Sequence, residues 1–535
     1  MRKAIFCLVT MSFLAICFVL WPGVVTAGPD DVVKAALEYD PTTLNILEMK
    51  TGIDLPVILS MHNSLLGTDP ETGNRTFERS LTKSARVMEN GKDIRIIMSK
   101  GFTFHTGDPV TAHDIKWTYA QCVNPDNANL MGGPLEEIEE IEVIDDYNLI
   151  FRFYEPYAAW MELLWIGISS KNYYEKVGKE KFRQHPVGSG PFRFVEREVG
   201  ASVTLEAYKG YTWIDKVKYY DKKSKKTISK KVEQKVDFNT LKFLIVQDEI
   251  TRIAMLETGE LDLINHILPH NLKRLKQKKH IKIKRESRVP SLYALSYKPD
   301  NYPIFKDNNF SRAFYHAINR QEIIDNLFLG EGYPLYLFAA KSELGYDPKI
   351  VFEFNPDKAR KLIQQSSYKP GTPITLSYTS AVPNSQLIVA IIQKYMKDVG
   401  VNIKLQQLEA GVQATYSRNR DPKEGHMTLY AWAGGRDPST RLILTLPSDS
   451  IYNNWRTRKN KELIDTLTFA QARETNKKKR LAILSRIHKL LRQEPGGGTI
   501  LFGLNEIYAM NDRIDYNWLP KSAFLFNTAR IKVLK

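Results

Sequence analysis

The chain has 535 residues, 43% of them apolar and 25% charged, with a formal charge of +16. That length exceeds one ordinary core, so two or three domains are expected, and the composition excludes a disordered chain. The positive balance permits an anionic ligand, a membrane surface or simple solubility, but no RNA- or DNA-binding motif is present, which excludes nucleic acid as the expected partner.

Residues 1–27 read as a secretory signal: Arg2 and Lys3 open it, an apolar run follows, and Val25, Thr26 and Ala27 form a small-residue cleavage site. An uncleaved anchor is the alternative, because the run is a little long for a signal. Ile16 before Cys17 argues against lipidation. Cleavage removes Arg2 and Lys3 and no acidic residue, leaving +14, and takes away Cys7 and Cys17. Cys122 alone remains, so no disulfide framework exists.

In chain order, residues 32–47 hold a short strand, 58–66 a short helix, and 68–74 a turn-rich loop. Within residues 99–119, SKGFTFHTGDPVTAHDIKWTY, the apolar alternation of Ile94, Ile96 and Met98 carries on to Phe102 and Phe104 and ends in the turn Gly107-Asp108-Pro109. A helix then starts, with Thr111 and Asp114 as a capping box, Val110 stapled to Ile115, and Ile115, Tyr119 and Cys122 as its apolar stripe. Residues 139–153 read as a hairpin around Asp145, Asp146 and Asn148. Phe151, Phe153, Tyr154, Tyr157, Trp160 and Trp165 are mainly core, with a solvent-facing subset able to wall a cleft. In PVGSGPFRF at 186–194, Gly188 and Gly190 suggest backbone conformations closed to other residues. Nine of the twenty residues 216–235 are lysine, read as an exposed hairpin or, alternatively, a docking surface for an anionic partner. Residues 249–265 give a helix stopped by Gly259 and then a strand.

After residues 288–297 the pattern becomes rich in αβ units. Helices are expected at 310–318, after an Asn319–Glu322 capping pair, at 387–399 with the stripe Leu387, Ile391 and Tyr395, and at 476–493 with Leu481, Leu484, Ile487 and Leu491 in line. Strands are expected at 374–378, 401–405, 429–432 and 499–502.

Four of these strings together carry a family resemblance. The 99–119 stretch resembles the signature of the family 5 extracytoplasmic solute-binding proteins, with its aromatic and His or Glu before Gly-Asp-Pro and then Thr-Ala-x-Asp. PVGSGPFRF is similar to the family's Val-Gly-Thr-Gly-Pro-Tyr, Leu256 to Asp262 to its Leu-x-x-Gly-Glu-Leu-Asp, and SRAFYHAINRQEII to its Arg-x-Ala-x-x-x-Ala-Ile-Asp-Arg. The resemblance implies an α/β fold of the type II periplasmic-binding class, two lobes joined by a hinge plus an extra subdomain at 63–185. The first lobe would be assembled from 28–62, 186–290 and 496–535, the second from 291–495, with 499–502 returning to the first lobe.

It further implies the receptor of an ABC importer that captures a peptide or peptide-like solute and works with a membrane permease and an ATPase. The expected receptor is a periplasmic monomer that touches the membrane only through the permease and needs no cofactor. Cleft candidates are Tyr430, Trp432, Gly434, Gly435, Arg436, Asp437 and Trp455. In peptide receptors of the family an acidic residue near this Trp holds the ligand's amino terminus. Gly435 occupies that place here. Either Asp437 reaches over, or the receptor does not grip a free amine; Arg436 and the net charge lean toward a carboxylate or phosphate. Nickel, sugar-like or anionic solutes, a sensory or chaperone-like binder, and remotely a secreted hydrolase are the alternatives. HExxH, P-loop and Gly-x-Ser-x-Gly motifs are absent, the Ser80–Lys83 and Ser366–Lys369 strings lack a Lys-Thr-Gly partner, and Pro269 breaks the spacing of His266 and His270 as helical metal ligands. His105 reads as a structural hydrogen-bonding residue.

Overall fold

The computed structural model describes residues 31–69, 75–78, 80–221, 226–287, 291–433, 437–450, 453, 458–516 and 528–534. The expected signal, Cys17 and three cleft glycine and arginine candidates, Gly434, Gly435 and Arg436, lie outside these residues, as does Trp455.

Two mixed sheets form the two lobes. The first runs Ile281–Glu286, Glu506–Asn511, Leu263–Ile264, Val32–Leu37, Thr240–Ile245, Ser202–Ala207, Phe192–Glu198 from edge to edge. Val32–Leu37 lies in its middle, parallel to both Thr240–Ile245 and Leu263–Ile264. A parallel pair needs a crossover. The helix Glu249–Thr258 supplies the one from Thr240–Ile245 over Val32–Leu37 to Leu263–Ile264, capped by the Asp248 side chain and ended by Gly259 at φ 79°. Three separated stretches of chain therefore share one core, in which Val33, Leu241, Phe243, Leu263 and Met510 are buried.

The second sheet runs Gly332–Pro334, Gly498–Leu504, Ser291–Tyr297, Met427–Ala433, Pro373–Tyr378, Asn402–Gln407. Gly498–Leu504 thus belongs to the second lobe, and the expected return at 499–502 is corrected: the strand that goes back is Glu506–Asn511. Among the described strands, the chain passes from one sheet to the other twice, between Glu286 and Ser291 and at Asn505.

The helix Ser385–Asp398 joins the parallel strands Pro373–Tyr378 and Asn402–Gln407. It buries Ile388, Val389, Ile392 and Met396, while Leu387 of the expected stripe is 53% exposed. The segment is apolar on more than one face, so period alone does not choose between two equally regular stripes. Leu481 likewise turns outward from Lys477–Gln493, which buries Leu484, Ile487 and Leu491.

The subdomain holds an antiparallel sheet of Thr82–Val87, Ile94–Met98, Asn148–Phe153 and Ile138–Asp145. The helix Ala112–Val123 carries the Thr111–Asp114 capping box and buries Ile115, Tyr119 and Cys122. Its core is continuous with Ile46, Leu47, Leu55 and Ile58, which fixes this unit to the first lobe. The strand stops at Met98 instead of running to Phe104, because Gly101 turns the chain at φ 95°. Phe151, Phe153 and Tyr157 are buried and Tyr154 is exposed.

Gly188 and Gly190 are required for a different reason from the one expected. Neither has a positive φ; instead, the chain runs so close to the end of the helix Leu55–Met61 that a Cβ on Gly190 would sit 2.5 Å from the Met61 carbonyl carbon, and one on Gly188 would overlap His62 at 2.8 Å. The lysine-rich stretch forms the hairpin Trp213–Asp221 and Lys226–Gln234, whose strands pair only with each other. Among the described residues no helix is long and apolar enough to cross a membrane.

Candidate functional site

Tyr430 and Trp432 are two apart on Met427–Ala433, so both side chains stand on one face of the sheet. Their rings lie 6.5 Å apart, and Trp432 meets the edge of Phe338 at 6.3 Å. Both are half-buried. The Tyr430 hydroxyl donates to Glu424 Oε1 at 2.8 Å and also contacts Ser417 Oγ. Glu424 is buried, and its other oxygen meets Lys298 Nζ at 3.0 Å. A buried carboxylate with an ammonium and hydroxyl partners is satisfied in place. It holds the Tyr430 ring rigidly.

Asp437 is equally committed. Arg480 grips it with Nη1 on Oδ2 and Nη2 on Oδ1, both at 2.6 Å, and Asp437 Oδ1 also accepts from Ser439 N at 2.9 Å. The same guanidinium reaches Gln471 Oε1 at 3.1 Å and the Ser439 hydroxyl. Arg480 sits on Lys477–Gln493, Ser439 opens Ser439–Thr445 and Gln471 lies on Lys461–Arg473, so one side chain joins three helices to the end of the loop. The carboxylate of Asp437, expected as one way to meet a solute amine, is here paired bidentately with Arg480.

A second cluster was not among the sequence candidates. Glu38 follows the central strand Val32–Leu37, His266 follows Leu263–Ile264, and Glu506 opens Glu506–Asn511 directly after the crossing. His266 adopts φ 52°, a left-handed conformation costly for a residue with a side chain. Its Nδ1 meets Glu38 Oε2 at 3.0 Å, and its backbone N donates to Glu506 Oε1 at 3.1 Å. Burial pushes the Glu506 carboxyl up to about 7. Burial also acts to raise Glu38, but the hydrogen bond and charge of His266 outweigh it and hold that carboxyl below its ordinary range.

Burial, with the charges of Glu506 and Glu38 behind it, pushes up the phenol of Tyr293 on the other lobe; Tyr293 pairs with Ala431 and so stands on the sheet face opposite Tyr430 and Trp432. Both lobes thus bring polar groups to the place where the chain crosses. The readable signal was positional, since ligands of open α/β sheets gather beyond the carboxyl ends of parallel strands.

The model for the bacterial extracellular solute-binding proteins, family 5 Middle, matches residues 76–453. The chain belongs to this family. Among curated family proteins, it is 23% identical over 488 residues to the Di/tripeptide-binding protein 3 of Pseudomonas aeruginosa, covering 85% of this chain and 87% of that one. The solved oligopeptide-binding protein AppA of Bacillus subtilis, in complex with a nonapeptide, superposes with a TM-score of 0.79 at 20% identity, covering 94% of this chain and 99% of that one. NikZ of Campylobacter jejuni, in complex with Ni(L-His), superposes with a TM-score of 0.78 at 20% identity, covering 94% and 100%. Those two likenesses establish the two-lobe, type II periplasmic-binding fold that this family member shares with receptors for chemically different solutes.

Proposed function

We propose that the protein is the periplasmic receptor of an ABC importer, exported by its cleaved signal, that closes two lobes on a peptide or peptide-like solute and delivers it to a membrane permease as a monomer. It performs no reaction; a separate ATPase drives transport. Similarity over most of the chain to proteins named for di-, tri- and oligopeptides supports the peptide class. The observation that carries the reading is the half-buried aromatic pair Tyr430 and Trp432 on the second lobe, with the Tyr430 hydroxyl fixed on the buried Glu424. A cleft with an aromatic wall and a few fixed polar groups suits a small solute. Native mass spectrometry of protein purified from its own host tests it: a retained peptide mass is expected, and a retained sugar or metal complex would overturn it.

The pairing of Asp437 with Arg480 favours a refinement, a solute whose amino group is not the gripped feature. Calorimetry with a bound peptide and its N-acetyl form should then give Kd values within about threefold of each other, whereas a salt-bridged amine would separate them by roughly tenfold or more.

A further inference from the structure

The subdomain touches the second lobe at a point far in sequence from either crossing. Ala158 N donates to Ala472 O at 2.6 Å. Ala472 is buried in the subdomain's own core, with Ala159 and Tyr157, and Ile443 of Ser439–Thr445 packs against the same cluster. On the neighbouring helix Gly132–Leu135, a Cβ on Gly133 would meet Leu444 Cδ2 at 4.0 Å. Burial and the carboxylates of Glu137 and Asp437 push the Tyr157 phenol up, which puts its hydroxyl in the field of the same Asp437 that Arg480 grips.

The two partners belong to different moving bodies. The subdomain shares its core with Ile46, Leu47, Leu55 and Ile58 of the first lobe. Lys461–Arg473 and Ser439–Thr445 pack with Leu292 and Ile500 of the second sheet. Since the described strands change sheet at two places, between Glu286 and Ser291 and at Asn505, rotation of one lobe against the other there pulls Ala158 from Ala472. The contact joins one backbone hydrogen bond to a small apolar patch of Ala159, Ala472 and Ile443, and water can satisfy the hydrogen-bonding groups once it parts. It also adjoins the candidate site: Gln471, next to Ala472, is bound by the guanidinium that holds Asp437 and Ser439.

We propose that residues 157–159 are a third gripping surface, docking on Lys461–Arg473 as the lobes shut, and that Arg480 is the positioning residue tying this docking to the Asp437 end of the site. The inference rests on the receptor reading above, and the test separates the two. The double variant Ala158→Cys/Ala472→Cys is stripped of solute by unfolding and refolding, then oxidised with and without a tryptic digest of casein as the probe. The digest should speed the cross-link roughly tenfold, as expected for a shift toward a minor closed state, and stapled protein should scatter X-rays as a more compact particle than reduced protein. Adding Arg480→Gln should cut the acceleration and weaken binding of the digest by a comparable factor, and Arg480→Lys should restore part of both. Should the digest fail to bind while stapling still compacts the protein, the peptide reading falls and the third grip stands. Equal cross-linking rates together with identical scattering of reduced and stapled protein would make the contact permanent and overturn the proposal.

Discussion

Glu331 of the second lobe holds Arg285 of the first, Oε1 to Nε at 2.7 Å. Its other oxygen accepts from Asn505 Nδ2 at 2.9 Å, and its carbonyl accepts from Asn505 N at 3.2 Å. One residue, placed just before Gly332–Pro334, therefore spans both points where the chain changes lobes. Arg285 is partly in solvent, so the ion pair is worth at most about 1 kcal/mol and is screened by salt. Its leverage is positional. Glu331→Ala should raise the dissociation rate of the host-derived solute by roughly three- to tenfold while costing under about 2 kcal/mol of stability. Stopped-flow release that is unchanged by the substitution would remove Glu331 from the hinge.

The Asp437–Arg480 pair makes the opposite kind of prediction, because it is largely buried. Removing one partner strands the other's charge in a poorly hydrated place, so Arg480→Met should cost about 3–5 kcal/mol in urea unfolding. Asp437→Asn combined with Arg480→Met leaves no stranded charge and should recover much of that loss. A double variant as unstable as the sum of the two single ones would show that the residues do not act as a pair.

Gly188→Ala tests whether steric approach or backbone freedom makes that position glycine. A Cβ there would press on the Met61 carbonyl and the buried His62 ring, neither of which can give way without moving Leu55–Met61. The variant should lose about 2–4 kcal/mol or fail to accumulate. Gly259→Ala, with nothing within 4 Å of its Cβ but φ 79°, should cost only about 1 kcal/mol. If the two variants lose the same amount, close packing is not what Gly188 serves.

Much of this architecture could be read from residue order, and the failures share a cause. The capping box at Thr111 and Asp114, the Gly259 stop and the Asn319 cap onto Glu322 N are local devices, and local devices are written in adjacent residues. The fate of 499–502 was not local. Gly498–Leu504 and Glu506–Asn511 are both almost wholly buried strands with Asn505 alone between them, and nothing in that run says which sheet takes which. The same holds for the site. Tyr430 and Trp432 were visible as an aromatic pair, but the reason Asp437 is occupied lies 43 positions away at Arg480. Glu38, His266 and Glu506 are drawn from three distant stretches that meet only once the sheet is built.

Two histidines at the junction of subdomain and first lobe set an acid limit on stability. His62 donates Nδ1–H to the Ile58 carbonyl at 2.8 Å and His105 donates Nε2–H to the Gly190 carbonyl at 3.1 Å, while His62 Nε2 and His105 Nδ1 are buried without a partner. Burial holds their pKa values down, to about 4 and about 3. Both are lowered from the ordinary 6.5, so the folded state favours the neutral ring, and their contribution is complete above pH 6.5 and lost as the pH falls through 4 and then 3. For His62 alone the loss amounts to roughly 3 kcal/mol. Glu506 works the other way: raised to about 7 from 4.5, its carboxyl favours folding while protonated, and that contribution fades as the pH rises from 4.5 through 7. Proton NMR of the imidazole C2–H signals gives the direct check. His62 and His105 should show no titration between pH 8 and 5, and Glu506→Gln should flatten the slope of stability between pH 4.5 and 7 without moving those signals. A ring at either position that titrates near 6.5 would mean that water reaches it, and the close packing of Gly167, Gly188 and Gly190 around His62 would then have to open in solution.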